Sequence, residues 1–142
     1  MRTVSQLLDA KGRHVLSIAP ERPVLDAIRL MAEHGVGALL VMQGERLIGI
    51  VSERDYARKV ILLGRSSAQT LVSEIMASEV ITVGQQRSVH GCMRTMTESR
   101  IRHLPVVEDG AVVGILSIGD LVKAVIEDQQ QEIAQLQQYI AG

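Results

Sequence analysis

The chain has 142 residues, 46% of them hydrophobic, with no Trp or Phe and a formal net charge of −1. That is enough apolar material for a core and too much for a disordered tail, and the length suits one compact domain or two small halves sharing a core. Only Tyr56 and Tyr139 are aromatic and no basic run occurs, which argues against stacking platforms for single strands, a basic patch for duplexes, and a nucleic-acid partner altogether.

In chain order, VSQLL (4–8) is a short apolar turn and HVLSI (14–18) a β-branched run that reads as a strand. Residues 23–34 carry Val24, Ala27, Ile28, Met31 and Ala32 at helical spacing, with Pro23 suited to the first turn. LLVM (39–42) and RLIGIVS (46–52) are strands around Gln43-Gly44-Glu45, and a helix over 52–63 ends at Gly64. After the linker GRSSAQT (64–70) the pattern starts again. VSEIM (72–76) and the strand VITV (80–83) precede a helix over 88–99, with Val89, Cys92, Met93 and Met96 on one face. LPVV and AVVGILS then flank the turn Asp109-Gly110. The last helix continues past the repeat with Val122, Ile126, Ile133, Leu136 and Ile140 at alternating four- and three-residue steps and Gln129 in the seam. Such a stripe either folds back on the body or packs on another subunit, and a homodimer through helices that include this one is expected.

A shift of 65 residues aligns 15–56 with 80–121 without a gap. Val15, Arg22, Val24, Arg29, Met31, Glu33, Leu39, Val41, Gly49, Ile50, Ser52 and Asp55 are identical in both copies. The fold class is therefore α/β (α+β): two tandem βαββα repeats packed with pseudo-two-fold symmetry, plus an extended C-terminal helix. The expected division is a first repeat with its N-terminal segment over 1–63, a linker over 64–70, a second repeat over 71–125 and the helical extension over 126–142.

Chemistry concentrates in G-h-h-S-x-x-D, where h is aliphatic. It occurs as Gly49-Ile50-Val51-Ser52-Glu53-Arg54-Asp55 and again as Gly114-Ile115-Leu116-Ser117-Ile118-Gly119-Asp120. Each closes a strand and opens a helix. One such motif is readily a capping box, in which Ser and the acid satisfy the helix start reciprocally. Two copies at equivalent places, both with Asp where Glu or Gln is usual, also suit a ligand. A helix N-terminus attracts phosphate, a Ser hydroxyl can donate to it, and a carboxylate one turn on can accept two ribose hydroxyls.

These motifs, the tandem repeat and Arg102-His103-Leu104-Pro105-Val106-Val107 before the Asp-Gly turn resemble a CBS-domain pair, the Bateman module, over about residues 4–125. The resemblance implies adenosine-ligand clefts between the copies, with Ser on phosphate and Asp on ribose. One cleft would use Ser52 and Asp55, with Val80, Ile81, Thr82, Ile101, Arg102 and His103 of the other copy. The second would use Ser117 and Asp120, with His14, Val15, Leu16, Ser17, Val36, Gly37 and Ala38. Arg102 and His103 are candidate phosphate contacts, with Arg54, Arg58 and Lys59 as weaker ones. AMP is the first-choice ligand, followed by ATP, ADP, NAD(H) and S-adenosylmethionine. The first copy has Gly37-Ala38-Leu39-Leu40 where the second has Arg102-His103-Leu104-Pro105, so the clefts should differ in affinity.

No other feature calls for chemistry. The four His lack metal-ligand spacing, Cys92 falls on an apolar helix face, and no acid–base pair or triad emerges, so no metal and no enzymatic activity are expected. A single Cys, the absence of an apolar block in MRTVSQLLDAKG and the lack of any stretch near ~18 apolar residues suggest a cytoplasmic protein with no membrane partner. Two readings compete: a nucleotide sensor signalling to an unknown effector protein, and a ligand-independent oligomerisation module with degenerate clefts.

Overall fold

The computed structural model describes residues 2–141. In order it forms α1 (Val4–Lys11), β1 (Ser17–Ile18), α2 (Val24–His34), β2 (Ala38–Gln43), β3 (Arg46–Ser52) and α3 (Glu53–Tyr56), which runs on as a π-helical turn (Ala57–Ile61). α4 (Val72–Ile75), α5 (Val89–Ser99), β4 (His103–Glu108), β5 (Ala111–Ser117) and α6 (Ile118–Ala141) complete the chain. The mixed α and β content and the long last helix are those expected. Val15–Ile81 forms one compact unit, and the stretch before it joins the stretch from Thr82 onward in the other.

In the Val15–Ile81 unit the strand order is β1-β2-β3, with β1 parallel and β3 antiparallel to β2. The helical spacing of Val24, Ala27 and Met31 buries them against Leu39, Val41 and Val51 of the sheet, and Val60, Val72 and Ile75 close the same core. α2 stops at Gly35, whose φ of 63° is a left-handed cap.

The second unit repeats this plan with one difference. β4 and β5 form the expected hairpin, with Asp109 and Gly110 at φ 51° and 79° in its turn. Leu104, Val106 and Leu116 pack with Val89, Cys92 and Met96 of α5, so Cys92 is a core residue, and burial pushes its thiol pKa up. The strand expected at 80–83, however, shrinks to one parallel bridge, Val83 with Val106. In the first copy the Leu40 N–H donates to the Leu16 carbonyl at 3.2 Å. Leu40 corresponds to Pro105, which has no N–H, so that rung has no counterpart.

The repeated flanks VSQLL and VSEIM become α1 and α4, and each packs with the copy that does not follow it. The Val72 N–H donates to the Arg22 carbonyl at 2.9 Å, as Val4 does to Arg87 at 2.8 Å. Met76 lies over Gly49, where an added Cβ would stand 2.5 Å from its sulfur. Leu8 lies over Gly114, where a Cβ would come within 2.7 Å of Cδ2. The motif glycines are thus seats for the flanking segment. Each compact unit thus takes the flank that precedes the other copy.

α6 buries Leu121 and Ala124, but its stripe stays uncovered beyond them: Ile133 is 55% and Leu136 61% exposed. Of the two fates expected for this helix, folding back on the body does not occur.

Candidate functional site

Each G-h-h-S-x-x-D motif forms a reciprocal cap. In the first, the Asp55 N–H donates to Ser52 Oγ at 3.2 Å, and Ser52 N–H and Oγ–H both donate to Asp55 Oδ2 at 3.0 Å. In the second, the Asp120 N–H donates to Ser117 Oγ at 3.2 Å and the Ser117 N–H to Asp120 Oδ2 at 2.8 Å. The first helical amides are engaged too: Glu53 N–H donates to the Gly37 carbonyl at 3.0 Å and Ile118 N–H to that of Arg102 at 2.8 Å. Two amides at each helix start therefore serve the fold, and a phosphate there would rely on the Ser hydroxyl and the second helical amide.

A lysine approaches each carboxylate, from a different place in each copy. Lys59, on the π-helical turn, lies 3.4 Å from Asp55 Oδ1 while donating to the Ile75 carbonyl at 2.8 Å. Lys11, the last residue of α1, donates to Asp120 Oδ2 at 2.6 Å and to the Ile115 carbonyl at 2.8 Å. Burial raises the Asp120 pKa, but the Lys11 ammonium and the Ser117 N–H outweigh it and hold the carboxyl below its ordinary value. His103, opposite Ser117 in the β4–β5 register, has its pKa lowered chiefly by burial. The Asp120 charge opposes that shift, and Lys11 and Arg102 reinforce it.

Within the units, then, the structure gathers the expected residues in two sets. Gly37 and Ala38 meet the helix start at Ser52 and Asp55, Ala38 lying opposite Ser52 in the sheet. Arg102 and His103 meet the start at Ser117 and Asp120. Leu16 and Ser17 pair with β2, and Val36 follows the cap of α2. His14, Ser17, Ile81, Thr82 and Arg58 are exposed, Val15 and Val80 partly so, and Ile101 packs against its unit's core. Arg54 is half-buried one residue before Asp55. Lys11 carries no sequence signal: it stands 109 residues from Asp120, and no motif links them.

The CBS domain family matches residues 7–61 and again 72–127. The chain belongs to the CBS-domain family. Among CBS relatives, the mitochondrial CBS domain-containing protein CBSX3 of Arabidopsis thaliana is 42% identical, the match covering 99% of this chain and 72% of that protein. The CBS domain-containing protein YhcV of Bacillus subtilis (strain 168) is 33% identical over 83% of this chain and 84% of its own. A solved CBS-domain protein from Burkholderia ambifaria MC40-6 is 53% identical, with a TM-score of 0.88 over 90% of this chain and 96% of that one. Among the described residues, no group of three or more His, Cys, Asp or Glu could hold a metal ion, and no helix is long and apolar enough to cross a membrane.

Proposed function

We propose that this CBS pair is a regulatory sensor, not a catalyst, that binds an adenosine-containing nucleotide through Ser52 with Asp55 and Ser117 with Asp120. The observation that carries the reading is the same device built twice. In each copy a charged, partly exposed carboxylate stands beside a Ser hydroxyl at a helix head, and a lysine within reach supplies positive charge. A carboxylate can accept both hydroxyls of a ribose, while hydroxyl and ammonium groups suit phosphate. The adenine would be taken by residues of the other copy, 80–82 with 101–103 for Asp55 and 14–17 with 36–38 for Asp120. The CBS pair of MJ0100, solved with 5′-methylthioadenosine and S-adenosyl-L-methionine, is 22% identical and shares the fold, so adenosine chemistry is compatible with this architecture.

AMP leads the ligand series, ahead of ADP, ATP, NAD(H) and S-adenosylmethionine. The sensor acts from a homodimer through helices that include α6, on an effector protein, in a reducing compartment, the cytoplasm. The test is thermal unfolding of ligand-stripped protein with each of these nucleotides. A ligand at 100 times its Kd adds about 2.7 kcal/mol, a shift of several degrees in a chain this size. The shift should be selective and should disappear in the Asp55→Ala/Asp120→Ala double variant. Apart from the Lys11 donation to Asp120, the caps account for the hydrogen bonds of Ser52, Asp55, Ser117 and Asp120, which favours a second reading, an assembly module indifferent to nucleotides. No shift with any of them would establish it.

A further inference from the structure

The two lysines at the aspartates are not equivalent. Lys59 belongs to the helical run that carries Asp55, pairs with it only as an ion pair at 3.4 Å, and makes its short contact to the Ile75 carbonyl. Lys11 comes from a separate helix and donates at 2.6 Å to Asp120 Oδ2, the oxygen that also accepts the Ser117 N–H. A vicinal diol bound side-on needs a lone pair on each carboxylate oxygen. At Asp120 the cap and Lys11 already use Oδ2, so a ribose and the ammonium compete for the same atom.

We propose that Lys11 is a tethered competitor for Asp120: a ligand whose ribose engages this carboxylate displaces the ammonium and loosens the C-terminal end of α1. The inference rests on the nucleotide-sensor reading and assigns that site its conformational output. Lys11 is the last residue of α1, and Gly12, which caps it, donates its N–H to the Leu8 carbonyl at 2.7 Å. Upstream, α1 is held independently by the Val4 and Ser5 amides on the carbonyls of Arg87 and Gln85, and by Leu8 in the core. Displacement from Asp120 therefore loosens the last turn without detaching it, since Lys11 keeps the Ile115 carbonyl at 2.8 Å and Arg13 keeps Gln85 Oε1 at 2.7 Å, and it leaves the rest of the helix docked. That turn leads directly into Val15, where the chain passes to the other compact unit. Occupancy at Asp120 is thereby coupled to the connection between units, whereas occupancy at Asp55 disturbs only a side chain of its own helical run.

Adenosine is the probe, because it carries the diol without a phosphate that Lys11 could attract. In an Asp55→Ala background, which isolates Asp120, Lys11→Met should bind adenosine up to about fivefold more tightly by calorimetry, the scale of a partly exposed ion pair. In the unmodified chain, adenosine should speed hydrogen exchange at the Gly12 amide and leave the Val4 and Ser5 amides unchanged. The exchange readout requires no variant to fold. Adenosine binding with equal or lower affinity in Lys11→Met and unchanged exchange at Gly12 would overturn the competitor role and leave the sensor standing. If neither protein binds adenosine or AMP, the inference falls with the reading it rests on.

Discussion

At Asp120 and His103 the charges of one small cluster decide how stability responds to pH. The Asp120 pKa is depressed, because its Lys11 and Ser117 donors outweigh the cost of burial. A depressed carboxyl contributes stability that is complete above its unfolded value, about 3.9, and is lost as pH falls through the folded value. His103 is depressed as well, chiefly by burial, so its unfolded form binds protons first. Its contribution is complete above about 6.5 and declines as pH falls through the folded value. Both groups thus make the protein weaker in acid, in two stages. Urea unfolding from pH 8 to pH 3 should show a first loss below about 6.5 that is absent in His103→Gln. A second loss at carboxylate pH should be reduced by at most about 1 kcal/mol in Asp120→Asn, since the Lys11 pair is partly solvated. Stability independent of pH over the first interval would mean that His103 is not held neutral. The Ser-Asp pairs could be read from the sequence, because a capping box is local and its spacing sets its geometry. Lys11 could not, because its approach depends on α1 docking with the second copy.

Among the elements, the helices and hairpins were legible because their signals are short-range: helical apolar spacing over α2 and α5, and Asp109-Gly110 between alternating apolar runs. The weak strand of the second copy was not, because its loss follows from Pro105 on a neighbouring strand and not from VITV itself. Nor does a repeated flank state which copy it packs on. Its trace lies in the motif glycines, which make room for Met76 and Leu8. At Gly114 the three atoms nearest a new Cβ all belong to the Leu8 side chain, so the strain falls on a side chain and not on fixed backbone. At Gly49 it would also lie 3.0 Å from the Ala77 carbonyl, and that carbonyl is fixed by accepting from the Ile50 N–H at 3.0 Å. Both Gly→Ala changes should destabilise by about 1–3 kcal/mol in chemical denaturation, with Gly49→Ala the costlier. Equal stability of Gly49→Ala and the parent chain would show that α4 does not sit on β3 as described.

On the scale of the whole molecule, the uncovered face of α6 must be reconciled with solution behaviour. Val122, Ile126, Ile133, Leu136 and Ile140 are all at least 41% exposed, a continuous stripe that a lone chain would leave in water. In heptad terms Ile126, Ile133 and Ile140 occupy a, while Val122, Gln129 and Leu136 occupy d. Ile at a with Leu at d favours two parallel strands, and one polar seam residue such as Gln129 fixes register at a cost in stability. Such a seam supports the proposed homodimer. Truncation after Glu127 would remove the stripe, but it would also remove Asp128, which pairs with Arg2 at 3.2 Å, and so confuse assembly with the docking of the N-terminus. Ile133→Asp is the cleaner probe. At 55% exposure it should cost the isolated fold little, yet across a two-stranded seam it sets two carboxylates face to face in an apolar layer. Sedimentation should then show a dimer for the parent chain and a monomer for Ile133→Asp, with unchanged far-ultraviolet dichroism from the repeats. A dimer that survives the substitution would move the interface off α6, and Ile61, Leu62 and Leu63, exposed at the end of the π-helical turn and just beyond it, form the next apolar face to probe.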